Sequence, residues 1–144
     1  MNLTLNVKLI SPKARLPEYA HEGDAGLDLF SVTDTVIQPG DVALVGTGIS
    51  IQLPPDTEGQ IRPRSGLALK HQITVLNSPG TIDQGYRGEL KVLLINHGKE
   101  PFPVACGTKI AQLVITPIHR VRVKTTTKLS DTDRKDGGFG STGI

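Results

Sequence analysis

Residues 73–95 read ITVLNSPGTIDQGYRGELKVLLI. The stretch opens and closes with apolar, β-branched runs, Ile73–Leu76 and Leu90–Ile95, of the kind that forms strands. A hairpin between them needs no more than an Asn-Gly turn. The connection from Asn77 to Lys91 instead carries Pro79, Tyr86 and the carboxylate of Asp83, with Ile82 placed to anchor that carboxylate against a core. A long loop with rigid punctuation between short strands is more often functional than accidental.

The same grammar runs through the chain. Its 16 glycines and 10 prolines are spread out, so they cut the sequence into many short segments. Leu3, Leu5, Val7 and Leu9 alternate with polar residues, which predicts a strand with one buried face. Further runs of strand character are Thr35–Ile37, Val42–Val45, Ile49–Leu53, Glu58–Arg62, Lys109–Ile115 and Arg120–Lys124. Turn signals fall between them at Pro39-Gly40, Pro54-Pro55, His97-Gly98 and Cys106-Gly107. Only Ser65–His71 suits a helix, with Ser65 as its N-cap. The reading is all-β, a jelly-roll-like barrel or sandwich with one short helix.

Composition narrows the function. A chain of 144 residues makes one domain with a real core. Sixteen basic and 14 acidic residues give a net charge of +2, and aromatics are 3% of the chain, so neither a basic patch nor base-stacking platforms point to nucleic acid. The single cysteine, Cys106, rules out an internal disulfide and suits a reducing compartment. The first ten residues lack the pattern of a signal peptide, and no apolar run approaches membrane-spanning length. The expectation is a soluble, intracellular, cytoplasmic protein without a membrane partner.

Three further segments carry chemistry. Pro63-Arg64-Ser65-Gly66-Leu67 ends a strand and opens the short helix. Helix N-termini hold anions, and Arg64 and Ser65 add donors; a capped turn with a solvated arginine is the plain alternative. Asp28, between Leu27 and Leu29, is either a solvent-facing or turn-capping aspartate or a carboxylate aimed at a metal ion or its waters. The last segment, SDTDRKDGGFGSTGI from Ser130 to Ile144, cannot bury enough to order itself. It is a loose tail or a flap that orders on a ligand. Arg134, Phe139 and Ser141 then supply a cation, a stacking ring and a hydroxyl, a set suited to a phosphorylated aromatic ligand. The four histidines are scattered and fit surface or loop positions, with no metal cage and no nucleophilic triad legible.

Together these motifs resemble the trimeric dUTPase family, the dUTP nucleotidohydrolases. Five segments match in order: AGLDLFS (Ala25–Ser31), PRSGLA (Pro63–Ala68), GTIDQGYRGELKV (Gly80–Val92), KIAQLVI (Lys109–Ile115) and RKDGGFGSTG (Arg134–Gly143). Lys109 stands where arginine is frequent, Gly85 where many relatives have a second aspartate, and Lys135 where glycine is common.

The resemblance implies a jelly-roll homotrimer with three active sites shared between subunits. Residues 1–129 would form the domain and 130–144 a flexible arm. Its reaction would cleave dUTP to dUMP and pyrophosphate, limiting uracil in DNA and supplying dUMP for dTMP synthesis. Asp83 would orient and deprotonate the attacking water, a role open to an aspartate ionised at neutral pH. Mg²⁺ would bridge triphosphate oxygens, and Asp28 of a neighbouring subunit would hold its waters. Arg64, Ser65, Gly66 and Gln112 would hold phosphates. Arg134, Gly140 and Ser141 would bind the substrate as the arm closes, with Phe139 over the uracil. Asn77 and the backbone of Gly80, Thr81 and Ile82 would read the uracil edge. Tyr86 would exclude a ribose 2′-hydroxyl, and Lys91 would pair locally or touch ligand.

Two rivals remain. A dCTP deaminase of the same fold expects a tryptophan in the corresponding loop and a catalytic glutamate after it. This chain has no Trp, and Glu89 lies in a different context, GELKV. A non-catalytic nucleotide-binding trimer has no need of Asp83.

Overall fold

The computed structural model describes residues 2–144. In chain order, β1 (Asn6–Leu9), β2 (Leu27–Phe30), β3 (Thr35–Ile37), β4 (Val42–Gln52) and β5 (Thr57–Arg62) precede the helix α1 (Ser65–His71). After it come β6 (Ile73–Val75), β7 (Gly80–Ile82), β8 (Glu89–Asn96), β9 (Phe102–Val104) and β10 (Lys109–Pro117). Every ladder is antiparallel. One sheet runs β1-β4-β8-β6, a second β2-β10-β5-β7, and β3 pairs with β9 alone. Val92 and Leu94 from the first sheet and Leu29 and Leu113 from the second belong to one buried cluster. Each fully buried leucine or isoleucine there contributes about 2 kcal/mol of transfer free energy. The architecture is the jelly-roll-like β sandwich with one short helix that the punctuation predicts.

The hairpin of the opening stretch forms, with Ile73 opposite Asn96 and Val75 opposite Leu94. Its long connection is more ordered than a loop. Residues 80–82 form β7, which leaves the β6–β8 sheet and pairs with β5 in the opposite one, Gly80 against Ile61 and Ile82 against Gly59. Gly59 permits the close approach. A Cβ on Gly59 would lie 3.0 Å from Leu113 Cδ1 and 3.2 Å from Ile82 Cβ. The connection thus stitches the two layers together, and Asp83 follows the last stitch.

Other expectations need correction. Val42–Val45 and Ile49–Leu53 are parts of one long strand, β4, whose register against β8 shifts between Gly46 and Ser50. Gly48, at φ +67°, supplies the irregularity, which lets a strand bend without ending. The N-terminal strand begins only at Asn6, and Leu3 and Leu9 are exposed, so its buried face reduces to half-buried Leu5 and Val7. Arg120–Lys124 is no strand: Val121 and Val123 are exposed, and the segment pairs with no sheet among the described residues. Ser65 is the first helical residue and the N-cap is Arg64, in extended backbone at φ −94° and ψ 130°.

Asn96 ties β8 to its surroundings. Fully buried, it donates from Nδ2 to the carbonyls of Ile37 (2.9 Å) and Glu100 (2.8 Å) and accepts from Gly98 N–H (2.8 Å). One buried side chain thereby bonds three backbone groups. Asn96→Leu removes all three bonds and should lower the unfolding free energy by about 3 kcal/mol. Thermal unfolding at fixed protein concentration measures this, and an unchanged midpoint would show that the network is dispensable.

Candidate functional site

Two clefts hold most of the candidate residues. The first, about 330 Å³, lies where β2, β10 and the start of α1 meet, and Asp28, Arg64, Ser65, Gly66 and Gln112 line it. The register brings these together: Gln112 on β10 faces Asp28 on β2 and Arg62 on β5, and α1 starts three residues beyond Arg62. Gln112 donates to the Pro63 carbonyl at 3.0 Å. Its side chain needs Gly26 beside it, since a Cβ there would sit 2.3 Å from Gln112 Oε1.

Asp28 is not the solvent-facing aspartate that simple alternation allows. It is 8% exposed, its N–H is held by the Glu18 carbonyl at 2.8 Å, and it lies among cations. Lys109 Nζ is 2.8 Å from Oδ2 and Arg64 Nε 3.7 Å from Oδ1. Arg64 also reaches the Lys109 carbonyl, at 3.4 Å. The Lys109 ammonium meets Oδ2 as an ion pair without the alignment of a hydrogen bond. Sequence reasoning missed this partnership because Lys109 lies 81 residues beyond Asp28 and only the strand register joins them.

The second cleft, about 310 Å³, is lined by Leu44, Thr81, Ile82, Asp83, Tyr86, Glu89 and Lys91. Asp83 is exposed and sits at the end of β7; its carbonyl accepts the Tyr86 N–H at 3.0 Å, closing a tight turn. Tyr86 lies back over the chain, its hydroxyl donating to the Glu89 carbonyl at 3.0 Å. Gly88 makes that posture possible, since a Cβ there would meet Tyr86 Oη at 2.4 Å. Asn77 lies beside Gly80 at the start of β7, with Nδ2 3.4 Å from a Cβ built on that glycine. The sequence reading passed over Leu44 and Glu89 as lining residues; Leu44 enters only because β4 lies beside β8.

The tail joins neither cleft within the chain. Arg134, Phe139, Gly140 and Ser141 are all exposed, and Arg134 folds back to donate to the Gly137 carbonyl at 2.9 Å. His21, His71, His97 and His119 are exposed too. Among the described residues, no three of His, Cys, Asp and Glu gather to hold a metal, and no helix is long and apolar enough to cross a membrane. Asp28 fits an outer role toward a divalent cation: Oδ2 is sealed by Lys109, while the carboxylate still borders the cleft. A hydrated cation that keeps its own waters matches that arrangement.

Comparison with known proteins agrees across most of the chain. The dUTPase family model matches residues 12–143. The deoxyuridine 5'-triphosphate nucleotidohydrolase of Clostridium acetobutylicum is 64% identical over 142 residues, covering 99% of this chain and 98% of the relative. That of Clostridioides difficile is 57% identical over 140 residues, 97% of this chain and 98% of the relative. Among solved structures, the Staphylococcus bacteriophage 80alpha dUTPase with dUPNHPP superposes with a TM-score of 0.92 at 31% identity, over 98% of this chain and 99% of the other. A mutant dUTPase from phage phi11 of S. aureus, which reveals coordination of a structural Mg(II) ion, gives a TM-score of 0.82 at 29% identity, over 87% and 97%. With the family motifs in place along a jelly-roll-like sandwich, this chain belongs to the dUTPase family, enzymes that hydrolyse dUTP.

Proposed function

We propose that the protein cleaves dUTP to dUMP and pyrophosphate in a homotrimer whose sites are shared between subunits. The observation that carries the reading is the division of the candidate residues. Asp83, Tyr86 and the β7 backbone line one cleft, whereas Arg64, Ser65, Gly66 and Gln112 line another. A nucleoside triphosphate needs both sets at once, and a neighbouring subunit supplies the missing half. Exposed apolar side chains support such an assembly, among them Leu44, which borders the Asp83 cleft, and Leu3, Leu16, Val121 and Val123.

In the proposed reaction Asp83 accepts a proton from water as its oxygen attacks the α-phosphorus. The bond from that phosphorus to the bridging oxygen breaks, and pyrophosphate departs. A carboxylate is a weak base, so positioning and charge stabilisation supply much of the rate. Arg64, Ser65, Gly66 and Gln112 hold phosphate oxygens, aided by the first-turn amides of α1. Mg²⁺ carried by the triphosphate would supply charge neutralisation, and Asp28 of a neighbouring subunit would hold its waters.

Asn77 and the backbone of Gly80, Thr81 and Ile82 read the uracil edge. Cytosine would leave buried groups unpaired, a mismatch that sites of this kind reject by roughly 10⁴-fold. Tyr86 closes the space of a ribose 2′-hydroxyl, and Lys91 supports the cleft by pairing or by touching ligand. Residues 1–129 form the domain, and 130–144 form an arm that closes over the ligand. Arg134, Gly140 and Ser141 then meet the phosphates and Phe139 covers the base. The proposed physiological role is to keep uracil out of DNA and to supply dUMP for dTMP synthesis, in the cytoplasm.

Pyrophosphate release from dUTP with Mg²⁺ is the direct test, and ammonia release from dCTP would favour the deaminase instead. Asp83→Asn should keep dUpNHpp binding and the trimer while turnover falls by about 10³-fold, within the usual range for a lost general base; near-normal turnover would remove Asp83 from the role. Ending the chain at Asp133 should leave the melting temperature unchanged, since the lost residues are almost all exposed. Turnover should drop by roughly 10²-fold or more as the phosphate and base contacts go. A large loss of thermal stability would instead make the tail a structural element.

A further inference from the structure

We propose that Lys109 is a positioning residue that keeps Arg64 available to the triphosphate by neutralising Asp28. The proposal rests on the hydrolase reading above and adds a residue that the phosphate-binding set does not include.

The first observation is a bulge. Along β10, Ala111 opposes Leu29 and Gln112 opposes Asp28, but Lys109 opposes Phe30, so Ile110 is an extra residue. Strict alternation would place Lys109 on the face of Ala111 and Leu113, both fully buried. The bulge turns it to the other face, where its ammonium meets Asp28 Oδ2 at 2.8 Å and lies 6.0 Å from the centre of the Phe30 ring. Bulges of this kind re-aim one side chain, and here the side chain so aimed is a cation.

The second observation is the state of Arg64. Its Nε stands 3.7 Å from Asp28 Oδ1, and its Nη1 contact to the Lys109 carbonyl is long, at 3.4 Å. Arginine and a carboxylate prefer a close, two-pronged pair. Arg64 does not form one here because Lys109 already occupies Oδ2. Without that ammonium, a buried carboxylate would lie uncompensated in an anion-binding cleft. Arg64 would then close onto both oxygens, leaving the ligand one cation fewer and one negative charge nearer. Lys109 thus acts on the substrate through Asp28 and Arg64.

The test measures binding by calorimetry in EDTA, so that no metal shell contributes. Lys109→Met should weaken dUpNHpp binding by about tenfold or more, as expected for losing one charge-assisted contact. Its dUMP affinity should stay within about threefold, because the outer phosphates carry the effect. Lys109→Arg should restore dUpNHpp affinity to within about threefold, since the bulge still delivers a cation. Adding Asp28→Asn to Lys109→Met should also restore it, because Arg64 then has no carboxylate to close upon. A general packing defect would weaken dUMP and dUpNHpp alike and would not be repaired by removing a second charge. The proposal is overturned if Lys109→Met binds dUpNHpp like the native protein, or if the double variant binds as weakly as the single one. Should Lys109→Met fail to fold, the double variant decides alone against the native protein: near-native dUpNHpp affinity supports the proposal and a tenfold loss overturns it. Pyrophosphate release by the native protein is measured alongside. Its absence would remove the hydrolase reading, whereas native-like binding by Lys109→Met would remove only the role of Lys109.

Discussion

The pairing of β7 with β5 is the constraint on which the rest of the molecule depends. Three residues, Gly80–Ile82, leave the sheet that contains β6 and β8 and join the opposite layer. Such a crossing needs room between the facing layers, and Gly59, where a Cβ would crowd Leu113 and Ile82, provides it. With β7 tied down, Asp83 and the turn to Tyr86 are held by the sandwich on both sides. A carboxylate on a free loop would spend its time in many places. This one is fixed within two residues of a ladder, which is how a loop acquires the precision of a strand.

Much of this organisation is legible in the order of residues, for a definite reason. Strands that bury one or both faces carry β-branched and aliphatic runs, and Thr35–Ile37 and Leu90–Ile95 fall where those runs predict. The helix is legible too, because PRSGLALKH leaves little else for that segment to do. Short strands are not. Gly80–Ile82 and Phe102–Val104 are three residues each, too few for a period of two to declare itself, and both contain or adjoin glycine or proline. Arg120–Lys124 errs in the opposite direction: RVRVK has the pattern of a strand, but a pattern needs an edge to pair with. At the site, residue types were readable while partnerships were not. Nothing local to Asp28 announces Lys109, and nothing local to Asp83 announces Leu44.

The charges around Asp28 show how the fold reconciles opposing demands. A cleft proposed to receive polyanions should be positive, yet this one contains a nearly buried carboxylate. Burial of such a group is costly unless cations and donors surround it. Two strands and the head of the helix meet that cost by converging Lys109 and Arg64 on the two oxygens. The result is a cluster with a net positive charge and one carboxylate edge still bordering the cleft. On the proposed reading, the same cluster serves polyphosphate on one side and a hydrated cation on the other.

Gly88 has a consequence that reaches beyond its own turn. Tyr86 leans over the chain and hydrogen-bonds the Glu89 carbonyl because position 88 carries no side chain. The resting angle of the ring therefore depends on the bond to Glu89 and on the space left beside Gly88. A single methyl at position 88 would push the phenol outward and reshape the floor of the Asp83 cleft without changing one residue that lines it. On the proposed reading, substrate range is open to drift through a position that no inspection of cleft-lining side chains would flag, and a mutational scan that samples only those side chains would miss it.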